Sequence, residues 1–162
     1  MATCFFIGHR DAKDDLLPEL TAEVERHITD YGVTEFVVGR YGRFDGLAAQ
    51  AVKQIKEQHP NIHLTYLRPY HPADRPEDTP RGFDGSFYPP GMESVPRKLA
   101  IVRANRYIVE HSDFLIAYTW HPASNSREVV EYAMKRERRG LIRVTMLSTN
   151  KTTDVDKNLH QI

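Results

Sequence analysis

Three stretches of the chain carry side chains able to hold an anion, a sugar or a flat ring. Gly8-His9-Arg10 ends a short apolar run. Gly39-Arg40-Tyr41-Gly42 ends a second, with Asp45 three residues on. Thr119 and Trp120 end another, followed by Ser124, Asn125, Ser126 and Arg127. Arg68 closes one more apolar run. A guanidinium forks onto phosphate oxygens, and Tyr41 or Trp120 offers a ring face. Hydroxyl and amide side chains both donate and accept hydrogen bonds. Asp45 has two readings, as the cap of a following helix or as an acceptor for ribose hydroxyls. Glu128 and Glu131 lie close to the third stretch, and with Asp45 opposite they are the candidate carboxylates for acid–base work or oxocarbenium stabilisation. Their competing reading is a capped, solvated helix.

Other chemistries lack their residue patterns. The spacing of Gly39 and Gly42 is neither G-x-G-x-x-G nor a Walker loop, and those glycines read equally well as a turn requiring positive φ. The single cysteine excludes C-x-x-C, and no metal site is expected. No G-x-S-x-G elbow is present, and no cofactor is called for.

The elements that must hold these residues alternate regularly. Short apolar runs at 3–8, 34–39, 61–70, 113–120 and 141–147 read as strands. Between them, helical spacing predicts helices over 14–32, 44–60, 97–112 and 125–140, with Pro18 in the first turn of the first helix and Gly32 and Gly140 as stops. In the last helix, Ser124 or Asn125 is the expected N-cap, with Asn125 and Glu128 spaced as in a capping box. Nearly continuous apolar strands alternating with helices predict a parallel sheet covered on both faces. In such a sheet ligands bind beyond the carboxyl ends of the strands, where each of the singled-out stretches falls.

Residues 71–96 break the pattern with six of the ten prolines and three glycines, an insertion expected to be a lid, a subunit interface or a disordered loop. The chain thus divides into one domain over 1–147, interrupted by 71–96, and a polar tail at 148–162.

Composition narrows the partners. Lys plus Arg and Asp plus Glu each number 22, so no net charge draws the chain to nucleic acid or anionic membrane. No apolar run is long enough to span a bilayer and no secretory signal is visible. The lone Cys4 reads as a small buried hydrophobe in a reducing cytoplasm.

Taken together, "TCFFIGHR" (3–10), "FVVGRYGRFDGLAA" (36–49), "HLTYLRPY" (63–70) and "RANRYIVEHSDFLIAY" (103–118) resemble the SLOG superfamily of Rossmann-like proteins, within it the YpsA-like group. The resemblance implies a doubly wound α/β fold with five parallel strands in the order 3-2-1-4-5. It also implies a homo-oligomer, and a ligand site on the first, second and fourth strand tips to which the helix residue Asn105 would belong. The superfamily's common theme is a nucleotide-derived small molecule, in sensor domains, in LOG phosphoribohydrolases and in the DNA-processing protein DprA. Where many relatives carry Gly-Gly-Thr, this chain has Ser124-Asn125-Ser126, and it lacks the LOG pattern P-G-G-x-G-T-x-x-E. Binding is therefore the first expectation and N-glycosidic hydrolysis the alternative, with single-stranded DNA binding disfavoured by the charge balance.

Overall fold

The computed structural model describes residues 2–73, 79–119 and 124–147. They form an α/β fold around a parallel sheet. The strands are β1 (Ala2–Gly8), β2 (Val33–Val38), β3 (His63–Leu67), β4 (Gly85–Phe87), β5 (Phe114–Tyr118) and β6 (Arg143–Met146). The helices are α1 (Leu17–Tyr31), α2 (Arg43–Lys56), α3 (Ala100–Glu110) and α4 (Asn125–Arg138), with 3-10 turns leading into α1 and α3. Sheet order is β4-β3-β2-β1-β5-β6, every pairing parallel.

The five anticipated strands occur in the anticipated order, but the sheet has six. The extra strand, β4, comes from the proline-rich insertion and extends the edge beside β3. Tertiary contacts hold it there. Asp84 accepts the Leu64 N–H at Oδ2 (2.8 Å), its own N–H bonds the Leu64 carbonyl (2.8 Å), and its carboxylate pairs with Lys56. Desolvation raises the Asp84 carboxyl, but the Lys56 ammonium and the Leu64 N–H outweigh it and hold its pKa below the ordinary value. The described part of the insertion is therefore an extension of the sheet, with Met92 buried and Phe83 and Tyr88 packed on the core.

β1 alternates its side chains between two cores. Cys4 and Phe6 face α1 and α2, where Leu20, Val24, Phe36, Leu47 and Val52 complete one layer. Phe5 and Ile7 face α3 and α4, meeting Ala104, Ile108, Val129 and Val130. A strand buried on both faces has no polar position to offer, which is why its sequence is continuously apolar. Cys4 is buried within the first layer, and desolvation pushes its thiol well above the usual range, so it is a core residue.

Helix ends follow the local signals. Pro18 stands at the start of α1, and Gly32 closes it with φ 69°, its N–H on the Ile28 carbonyl at 3.1 Å. Ser124 caps α4 by accepting the Arg127 N–H at 3.0 Å. With Ser124 as cap, the third helical position is Arg127, so the Asn125–Glu128 capping box does not form. Among the described residues no helix is long and apolar enough to cross a membrane.

Candidate functional site

From β1, the chain moves outward through β2, β3 and β4 on one side, then returns through α3 to β5 and β6 on the other. The carboxyl end of β1 is thus the point where strand order reverses, and a crevice opens there because consecutive connections depart to opposite faces. A cavity of about 670 Å³ occupies it. Small-molecule sites commonly span roughly 300–1,000 Å³.

The first wall is the loop after β1. His9 is buried, its N–H on the Tyr118 carbonyl at 3.1 Å and its ring edge-on to Tyr118. Arg10 is exposed into the cavity beside Asp11. Gly8 must lack a side chain, because a Cβ there would enter the ring of the fully buried Phe44, which stacks on Tyr118. Gly42 faces the same demand from the other direction: a Cβ would stand 2.7 Å from Arg10 Cα. The Arg43 N–H bonds the Arg10 carbonyl at 2.9 Å, and the two loops are locked together. Neither Gly39 nor Gly42 has a left-handed φ, so close approach, not a left-handed turn, is what requires glycine at position 42.

The second wall is the start of α2. Asp45, in its first turn, accepts the Tyr41 N–H at Oδ2 (3.0 Å), while Oδ1 has no hydrogen-bond partner among the described residues and the carboxyl lines the cavity. A Cβ on Gly39 would come within 3.1 Å of Oδ2. Burial raises the Asp45 pKa to about 6, against the lowering effect of the Tyr41 N–H. Tyr41 also lines the cavity and meets Tyr70 edge-on at 6.2 Å.

The remaining walls come from β3, α3 and α4. Leu67 and Pro69 form an apolar floor, and Lys98, Ile101, Val102 and Asn105 approach from the lead-in and first turns of α3. Ser124 and Ser126 close the rim at the start of α4, where the Ser126 hydroxyl donates to the Gly8 carbonyl at 3.2 Å.

The cavity thus brings together Gly8, His9, Arg10, Gly39, Tyr41, Asp45, Asn105, Ser124 and Ser126 from the sequence-derived set. Others lie elsewhere. Gly42 serves the loop contact and Arg40 is exposed outside the cavity lining. Arg68 is buried and turned to the sheet edge, its Nε donating to Ser86 Oγ at 3.1 Å. Thr119 is buried behind the rim, and Arg127 donates to its carbonyl at 3.3 Å. Glu128 and Glu131 are exposed and line none of the cavity; Glu131 pairs with Arg127 at 3.2 Å. They sit beyond the first residues of α4, on its solvent side, and the carboxylates that line the cavity are those of Asp11 and Asp45. Trp120 and the Asn125 side chain lie outside the described residues.

Asp11, Lys98, Ile101 and Val102 escaped the sequence reading. The signal for the last three was present: in a sheet of this kind each helix starts at the same rim where the strands end, so the start of α3 had to reach the site. A second, smaller cleft of about 350 Å³ lies between β2–β4 and the far end of α3, lined by Glu35, Thr65, Tyr107 and His111 among others. Among the described residues no group of histidine, cysteine and carboxylate side chains is arranged to hold a metal ion. No protein-family model matches the chain, and no curated protein is significantly similar to it.

Proposed function

We propose that the protein is a Rossmann-like, SLOG-type binder of a nucleotide-derived small molecule, either a nucleoside phosphate or an ADP-ribose-like compound, acting as a sensor, regulator or sequestering protein. The observation that carries this reading is the cavity at the strand-order reversal, which holds a cation, a hydroxyl acceptor and an apolar wall in one space. Arg10 supplies the charge for a phosphate beside the serine-rich start of α4. The first turn of α2 is already occupied by its own carboxylate, so Asp45 is the group for ribose hydroxyls, through the free Oδ1. Ile101, Val102 and Leu67 give a flat base an apolar surface.

One observation favours turnover as a second reading. A carboxyl with a pKa of about 6 inside the cavity exchanges protons readily near neutral pH, as an acid–base group in nucleotide N-glycoside hydrolysis would need. That role then falls to Asp45 and not to Glu128 or Glu131.

Incubation with AMP, ADP, ADP-ribose and NAD, followed by thermal shift and by chromatography for free base, tests both. The binding reading expects a raised Tm without free base, and it expects Arg10→Ala to lose most of that rise, a drop in affinity of about tenfold or more. Free base that disappears in Asp45→Asn would establish the hydrolase instead. An Arg10→Ala protein with an unchanged shift would remove the phosphate from the β1 tip.

A further inference from the structure

Two cations in the cavity have no side-chain partner among the described residues, and they come from opposite sides of the sheet. Arg10 stands on the loop locked to α2, and Lys98 on the turn entering α3. Cations nearby are engaged: Arg43 with Asp14, Arg127 with Glu131, and Arg97 over the Tyr70 ring at 5.7 Å. The exposed turn that carries Lys98 has a contact on each side. Arg97 before it lies over the ring of Tyr70, which meets Tyr41 on the cavity wall, and Ala100 two residues after it is buried. The start of the insertion at Tyr70 and its end at Arg97 are thus in contact, and Lys98 beside Arg97 lines the cavity.

We infer that Lys98 is a second anion contact and that the site takes a ligand with two linked phosphates, a diphosphate, in preference to a monophosphate. A single phosphate at Arg10 would leave Lys98, which lines the same cavity, without an anionic partner. A diphosphate spreads its charge over both cations, each a charge-assisted donor to phosphate oxygen. Asp11 and Asp45 share the cavity, so one cation alone meets an anion against two carboxylates, and the second cation restores a favourable field. The nucleoside part of such a ligand rests on the function proposed above; the diphosphate preference rests on Arg10 and Lys98 alone.

The experiment measures the affinities of phosphate, pyrophosphate, AMP and ADP at pH 7.5 and fixed salt, for the unaltered chain, Lys98→Ala and Lys135→Ala, the last a charge control on the exposed far part of α4. Expected are a preference of about tenfold or more for pyrophosphate over phosphate and for ADP over AMP. Lys98→Ala erases both preferences while leaving AMP binding in place, and Lys135→Ala changes neither. Because Lys98 is exposed, its variant keeps the parental Tm without ligand. Equal affinity for ADP and AMP, or an equal loss of both in Lys98→Ala, overturns the inference while leaving nucleotide binding standing. A Lys98-dependent pyrophosphate preference without nucleotide binding upholds it and overturns the nucleotide reading. No binding by any of the four overturns both.

Discussion

Asp45→Asn is expected to stabilise the ligand-free protein by about 2 kcal/mol at pH 7.5, an unusual sign for a change inside a cavity. The carboxyl is driven to a pKa of about 6 by burial, above its ordinary value of 3.8. Between those values the folded chain holds a proton that the unfolded chain has released, so stability falls as pH rises through that window. At pH 7.5 the full cost of keeping the group ionised is present; the figure given is reduced for its partial exposure. Asparagine removes the charge and still accepts the Tyr41 N–H through its amide oxygen. Urea unfolding of both proteins at pH 7.5 and pH 4 checks this, the difference shrinking below about 0.5 kcal/mol at pH 4, where the native carboxyl is protonated. The same variant loses affinity for ribose-bearing ligands if Oδ1 is their hydroxyl acceptor. A carboxylate that destabilises its own fold and serves the ligand is the trade expected of a binding site. Lower stability of Asp45→Asn at pH 7.5 would mean that the charge is compensated within the chain.

The second large effect lies at Gly8. Alanine there places a methyl group inside the ring of Phe44, which is fully buried against Tyr118 and cannot swing into solvent. Overpacking of this kind costs about 2 kcal/mol, seen as a lower Tm and an earlier denaturant midpoint. Phe44 directly precedes Asp45, so displacing it also moves the cavity wall, and the thermal response to nucleotides should fall with stability. A Gly8→Ala protein with the parental Tm would contradict the tight junction between the β1 tip and α2.

How much of this was legible in the sequence depended on whether local residues or distant ones decided each element. β1 and β5 were readable because strands buried on both faces are nearly continuously apolar, β2 through its run Phe36-Val37-Val38, and α1 because Pro18 and Gly32 mark its ends. β4 was not. Its three residues carry no alternation, and its place is fixed by Asp84 reaching Leu64 across twenty residues of sequence. That strand also explains Arg68: its N–H bonds the Phe87 carbonyl at 2.8 Å, which continues the ladder past the end of β3 and carries the guanidinium to the edge instead of the rim. The rule that ligands meet strand carboxyl ends points to the loops after β1 and β2, and residues of both line the cavity because they follow their strands directly. Glu128 and Glu131 are exposed and line none of the cavity, because Val129, Val130 and Ala133 turn the opposite face of α4 to the core. The rule was applied to strands alone, and so passed over the start of α3 with Lys98.

The measurement that bears most directly on the central claim is a titration of isotope-labelled protein with ADP, followed through backbone amide chemical shifts. The account predicts that the largest changes fall at residues 8–11, 39–45, 98–105 and 124–126, the segments that converge on the cavity at the β1 tip. Changes concentrated instead around Glu35, Thr65, Tyr107 and His111 in the second cleft, or none at millimolar ADP, would contradict it.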